Sequence, residues 1–274
     1  MAQEIDLTGK IAVITGAGSG IGRATARLLA RHGAKVHIAD LNAEAAAAAA
    51  AEIGGDATHH PLDVTRPQDL EALAEAVFAA DGRVDILHNN AGIGQGGDIE
   101  TTTVEDWQRV IGVNLLGVAY GVQAFVPRML TQGHPATIVN TASEAGLIPI
   151  ARMAPYCASK FGVVGMSESL DAELRSRGIR VVALCPGIIN TPIVRDGIMR
   201  GQLGADQAKI VAFYAKHGAS PDTVAAAVLD AIARPRPIVV SPPSQVLAPY
   251  LLHRLSPRLA QPLARSLTKI VSRG

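Results

Sequence analysis

The chain has 274 residues, 48% hydrophobic and 18% charged, with a formal net charge of +1. This balance describes a globular protein with one well-buried core and argues against a nucleic-acid binder working through overall positive charge. No apolar run approaches the roughly 20 residues that a membrane span needs, and the two cysteines, Cys157 and Cys185, form neither a metal spacing nor a disulfide framework.

In chain order, the first ten residues carry Gln3, Glu4 and Asp6 where an export signal would be basic and then apolar, so a cytoplasmic location is expected. The stretch 11–15 reads as a buried strand and runs into TGAGSGIG, residues 15–22, with four glycines in eight positions. A glycine-rich turn between a strand and a helix lets backbone N–H groups approach a pyrophosphate, whose charge then sits on the positive helix N-terminus. Gly16, Gly20 and Gly22, with Gly18 added, depart from the commoner G-x-G-x-x-G spacing. Residues 21–32 repeat Ile21, Ala24, Leu28 and Leu29 at helical spacing and stop before Gly33. A second strand, 36–39, ends at Asp40, where a carboxylate can accept hydrogen bonds from the adenosine ribose and repel a 2′-phosphate. Ala17, Ser19 and Leu41 supply no cation against that repulsion, which leaves Arg23 as the one nearby candidate. NAD is therefore expected over NADP.

Residues 43–53 form an alanine-rich helix, read as a strong helix former on the surface. Further strands are expected at 60–62, 84–88, 137–140, 181–185 and 238–240, with helical patterns between them. This alternation predicts an α/β fold, a Rossmann-type doubly wound parallel sheet with helices on both faces, in a single domain. His59 and His60 lack partners at metal-ligand spacing and suit a turn or strand edge, so no metal site is expected. Trp107 and Phe125 fall in the helical pattern 105–130 as core or subunit-contact residues.

YCASK places Tyr156 and Lys160 four residues apart, on one face of a helix, with Pro155 at its start. Nothing near Cys157 would activate its thiol. The tyrosine–lysine pair alone is a weak signal, but it stands in an ordered set of motifs: TGAGSGIG, LDV ending at Val64, NNAG at 89–92, NLLG from Asn114, Ser143 set 13 residues before Tyr156, YCASK, and PGIINTP from Pro186. Over about residues 7–240 the chain resembles the short-chain dehydrogenase/reductase family. The resemblance implies a catalytic group of Asn114, Ser143, Tyr156 and Lys160. It also implies a cofactor site drawn from Gly16, Ser19, Gly20, Ile21 and Gly22 in the glycine turn, Asp40 and Leu41, Asp63 and Val64 near the adenine, Asn90, Ala91 and Gly92, the catalytic Tyr156 and Lys160, and Pro186, Gly187, Ile189 and Thr191. A homo-oligomer, dimer or tetramer, is implied as well.

The chemistry follows from these residue types. A base must take the hydroxyl proton as hydride leaves the carbon for the nicotinamide, and must return it in the reverse direction. Tyr156 serves if its pKa falls from about 10 towards 7, which the Lys160 ammonium and the oxidised nicotinamide would favour. Ser143 would stabilise charge on the substrate oxygen, and the resemblance gives Asn114 a water relaying protons to Lys160. Glu144, directly after the serine, and a long basic tail depart from the family pattern, and both bear on substrate choice.

Residues 190–220 carry Ile193, Val194, Met199, Leu203, Ile210 and Tyr214, in the position of the family's lid. With Leu147, Ile148, Ile150 and Met153 they predict a bulky, largely apolar ketone or secondary alcohol. Seven basic and no acidic residues lie from 231 onward, against 18 basic and 24 acidic residues before. After the expected edge strand in PIVVSPP, the tail 241–274 repeats Leu247, Leu251, Leu252 and Leu255, then Leu259, Leu263, Leu267, Ile270 and Val271, with Arg258, Arg265 and Lys269 mainly off that row. Such a basic amphipathic segment can dock on the acidic body or a neighbouring subunit, or make peripheral contact with an anionic membrane. The favoured reading is an NAD-dependent alcohol dehydrogenase or ketone reductase. The alternatives are a catalytically silent NAD-binding regulatory protein and a membrane-surface or partner-binding protein acting through its tail.

Overall fold

The strand β1 (Ile11–Thr15) is buried along its whole length, which requires a sheet covered on both faces. The computed structural model describes residues 5–260. After β1 come α1 (Gly20–Arg31), β2 (Lys35–Asp40), α2 (Ala43–Ile53), β3 (Thr58–Pro61), α3 (Pro67–Asp81), β4 (Ile86–Asn89) and the short β5 (Gln95–Gly96). The second half runs α4 (Val104–Ile111), α5 (Gly117–Thr131), β6 (Ala136–Thr141), α6 (Ala154–Leu174), β7 (Ile179–Pro186), the short β8 (Ile198–Met199), α7 (Gly201–Ala205), α8 (Gln207–His217), α9 (Pro221–Ala233), β9 (Ile238–Ser241) and α10 (Pro243–Leu255).

Seven strands form one parallel sheet in the order β3-β2-β1-β4-β6-β7-β9. In the register of the sheet, Ile14 of β1 lies opposite Ile38 of β2 on one side and His88 of β4 on the other. The chain runs outward from β1 through β3 and then returns to β4, so the winding reverses between β1 and β4. A crevice opens there beyond the carboxyl ends of the strands. On one face Leu70, Leu73, Val77, Phe125, Met129 and Leu174 pack α3, α5 and α6 against the sheet. On the other, Ala26, Leu29, Ala46, Ala49 and Leu229 seat α1, α2 and α9. The alanine-rich α2 is thus not simply a surface helix, because its small side chains let it lie close to the sheet.

The single helix expected at 105–130 is interrupted. Residues Gly112–Leu116 form a π-helical turn between α4 and α5, with Asn114 buried in it. From Val104 to Thr131 the run is long and apolar enough to cross a membrane, contrary to the sequence expectation, but it packs between α3 and α6 as a core element. In the tail, α10 docks through the fully buried Val246, while Leu247, Leu251, Leu255 and Leu259 stay 43%, 50%, 85% and 66% exposed. The expected leucine row is therefore largely undocked in this part. Its continuation through Leu263, Leu267, Ile270 and Val271, with Arg265 and Lys269, lies outside the described residues.

Candidate active site

The crevice is a cavity of about 550 Å³. Of the catalytic and cofactor-site residues that the family resemblance implies, all but Gly22 and Asn114 line it, and those two pack behind its walls.

At the outer end, Gly16 adopts φ +62°, and a Cβ there would lie 2.7 Å from the Ala91 Cα. Gly22 is needed for closeness: its Cβ would fall 2.3 Å from the Gly16 carbonyl and 2.6 Å from Asn90 Nδ2. The turn is tied to the loop after β4, since Asn90 Nδ2 donates to the carbonyls of Thr15 and Gly16 at 3.0 and 3.2 Å. The Thr15 hydroxyl accepts from the backbone N–H groups of Asn90 and Ala91 at 3.0 and 3.1 Å. Thr15, which carries no motif signal of its own beyond its place before Gly16, thus positions both strands of the crevice. The N-terminus of α1 has no side-chain cap from Ser19 and no acid in its first turn, and Ser19, Gly20 and Ile21 at that end line the cavity. A helix start with unsatisfied donors and a glycine cradle fits a pyrophosphate.

Asp40 lies on the same wall and accepts from Gly18 N–H at 2.8 Å and Asn42 N–H at 2.9 Å, which fixes its carboxylate at the end of β2. Leu41, Asp63 and Val64 line the cavity beside it. Arg23, the one candidate cation, is held elsewhere: its Nε donates to Glu52 Oε2 at 2.8 Å.

At the inner end, Ser143, Tyr156 and Lys160 come together and are 8%, 7% and 2% exposed. Pro155 opens α6 and the next turn of that helix carries Lys160, whose Nζ lies 5.7 Å from the Tyr156 ring centre and donates to the Thr141 carbonyl at 2.9 Å. Burial, not attraction, dominates their titration. It pushes the Tyr156 phenol up to about 12, opposed by a hydrogen bond with Ser143, and brings Lys160 down to about 8. In the chain alone both groups are dry and each favours its neutral form; the lowering towards 7 calls on the Lys160 ammonium and the oxidised nicotinamide together.

Asn114 sits behind Gly92, where a Cβ would be 3.2 Å from its Oδ1 and 3.5 Å from Lys160 Nζ. Its side chain clamps the backbone of one residue from both sides, Oδ1 accepting from Ile93 N–H at 2.8 Å and Nδ2 donating to the Ile93 carbonyl at 2.9 Å. The π turn turns Asn114 inward to make that clamp, in keeping with the frequent use of such turns at functional sites. This positioning task is distinct from the water-holding one implied by resemblance.

Beyond the reacting group, Ile150, Met153, Val194, Met199 and Tyr214 line the cavity. Leu147 and Ile148 do not; they pack into the core with Val163 and Val164. In the segment 190–220, Leu203 and Ile210 form a small cluster with Val194, and β8 pairs with β5, so only part of its apolar content faces the pocket. Arg109, Gln95 and Glu144 also line it. Gln95 follows the NNAG motif without any pattern to flag it. Cys157 lies behind Tyr156 with its thiol pushed up by burial.

The family model for short chain dehydrogenases matches residues 10–198. A Mycobacterium tuberculosis protein named "Probable oxidoreductase EphD" is 38% identical over 262 residues, covering 92% of this chain and 44% of the relative, so the chain spans less than half that protein's length. D-threitol dehydrogenase of Mycolicibacterium smegmatis is 44% identical over 190 residues, covering 68% of this chain and 73% of that protein. A short chain dehydrogenase/reductase from Burkholderia phymatum, solved in complex with NAD, superposes with a TM-score of 0.85 at 37% identity, covering 94% of this chain and 96% of that one.

Proposed function

The chain belongs to the short-chain dehydrogenase family, and from that premise we propose that it is an NAD-dependent oxidoreductase interconverting a secondary alcohol and a ketone. The observation that carries this reading is the convergence of Ser143, Tyr156 and Lys160 on one end of a cavity whose other end is a glycine cradle and a bare helix N-terminus. The NAD-bound Burkholderia relative supports the cofactor.

Bound NAD⁺ would accept the hydride and bring a positive charge to the inner end of the cavity. Tyr156 takes the carbinol proton, or returns it to the ketone oxygen, and a dry site makes that proton position well defined. Ser143 donates a hydrogen bond to the substrate oxygen and holds the charge that develops there. Lys160, fixed by the Thr141 carbonyl, stands beside the phenol and favours phenolate whenever it is protonated. Gly20 and the first turn of α1 hold the pyrophosphate, Asp40 the adenosine ribose, and Asn90 the shape of the turn between them. Ile150, Met153, Val194 and Met199 exclude water from an apolar substrate body.

Cofactor choice follows from Asp40, a carboxylate with no ion-pair partner among the described residues, Arg23 being paired with Glu52. A 2′-phosphate placed there meets repulsion in a partly dry crevice. Wild type is expected to prefer NAD over NADP in kcat/KM, and Asp40→Ser to shrink that preference by about tenfold or more, roughly 1.4 kcal/mol. Steady-state kinetics with both cofactors check it. A wild type that uses NADP better, or an Asp40→Ser variant with an unchanged ratio, would contradict the assignment.

A further inference from the structure

Two acceptors that line the cavity, Glu144 and Gln95 Oε1, have no donor partner among the described residues. Glu144 begins the single helical turn Glu144–Gly146, directly after Ser143, whose hydroxyl accepts from Ala145 N–H at 3.2 Å. Its carboxyl is on the cavity wall and close enough to Tyr156 and Tyr214 for its charge to raise both phenols. Desolvation pushes it up to about 7, with no hydrogen bond or ion pair among the described residues to offset that burial. Arg109, which also lines the cavity, makes no ion pair with it among the described residues. Gln95 is fully buried, also lines the cavity, and has an Oε1 without a partner, while its Nε2 reaches Thr102 Oγ1 only at 3.5 Å. A buried polar group left unpaired is unfavourable; Gln95 Oε1 is one, and together with the half-buried, unpartnered Glu144 carboxyl on the same cavity it marks a place for a donor that the ligand brings.

We propose that Glu144 is a specificity-determining residue that accepts a hydrogen bond from a second substrate hydroxyl, on the carbon next to the reacting carbinol. The substrate class is then a vicinal diol in the oxidative direction and an α-hydroxy ketone in the reductive one, carried on an apolar body. Ser143 and Tyr156 hold the reacting oxygen, and the adjoining residue in the chain meets the adjoining hydroxyl. In the oxidation, the carbinol C–H bond breaks with its electron pair passing to the nicotinamide. The O–H proton goes to Tyr156 and the C=O bond forms, while the second hydroxyl is unchanged. This inference rests on the oxidoreductase reading above.

The test compares cis-1,2-cyclohexanediol with cyclohexanol in NAD-dependent turnover, and in thermal stabilisation of the NAD-loaded protein by each alcohol. Wild type is expected to favour the diol in both. Glu144→Leu is expected to lower the diol-over-cyclohexanol ratio of kcat/KM about tenfold or more, any change in the Tyr156 phenol being common to both alcohols, and Glu144→Gln, which keeps one acceptor, to fall between. Equal losses on both alcohols would mark a merely structural role and overturn the proposal, as would a wild type that gains nothing from the second hydroxyl. Stabilisation by the diol that depends on Glu144, without turnover of either alcohol, would support the hydroxyl site while overturning the oxidoreductase reading.

Discussion

Replacing Tyr156 with Phe is expected to lower kcat by about a thousandfold or more while NAD affinity stays within a few-fold. The ring is buried in a small cluster with Ala145 and Cys157, and Phe preserves that packing, so the variant removes the hydroxyl and little else. General acid–base catalysis by one positioned group is worth roughly 10² to 10⁴ in rate, and that is the loss expected when the phenol hydroxyl is removed. Single-turnover measurements at saturating NAD check the expectation. A variant that keeps a tenth of wild-type kcat would remove Tyr156 from the mechanism.

The second large effect lies at the other end of the cavity. Gly22→Ala is expected to weaken NAD binding about a hundredfold and to lower Tm by several degrees. The new Cβ would meet the Gly16 carbonyl at 2.3 Å, Asn90 Nδ2 at 2.6 Å and the Ala17 Cα at 2.9 Å, two of them backbone atoms that cannot step aside without moving the turn. Overpacking of this kind costs about 1–3 kcal/mol, and because the displaced carbonyl belongs to the pyrophosphate cradle the loss falls on binding as well as stability. Calorimetric titration with NAD, beside a thermal melt, checks both. Binding within threefold of wild type would show that the turn does not hold the cofactor.

Much of this arrangement was legible in the sequence because it depends on residue types that few other contexts demand. The apolar runs at 11–15, 137–140 and 181–185 fall within β1, β6 and β7, since strands buried on both faces read as unbroken hydrophobic stretches. The edge strand β3, Thr58–Pro61 with only partly buried side chains, was placed two residues late because it shows no such run; His60 there stacks on His37 at 5.3 Å. The glycine turn, Asp40 and the pair in α6 were legible from spacing and motif order.

Other features have no local signature. The π turn around Asn114 leaves the apolar periodicity of 105–130 intact, so the sequence reads as one helix. The ribbon between β5 and β8 joins segments about a hundred residues apart through two short strands, and no pattern in either predicts the other. Leu147 and Ile150 look equivalent in sequence, yet one packs in the core and the other on the cavity wall, which only the path of the chain after Ser143 decides. The dryness of Tyr156 and Lys160 likewise arises from tertiary packing and reverses the direction of titration expected from charge alone.

The central claim is hydride transfer between a carbinol carbon and the nicotinamide with Tyr156 moving the proton. It is tested most directly by oxidising a vicinal diol deuterated at its carbinol carbons with NAD and examining the reduced cofactor by mass spectrometry. The account predicts one deuterium in each NADH formed by wild type, with none taken from solvent, and no measurable product from Tyr156→Phe on the same timescale. Unlabelled NADH, or labelled NADH formed equally well by both proteins, would contradict it.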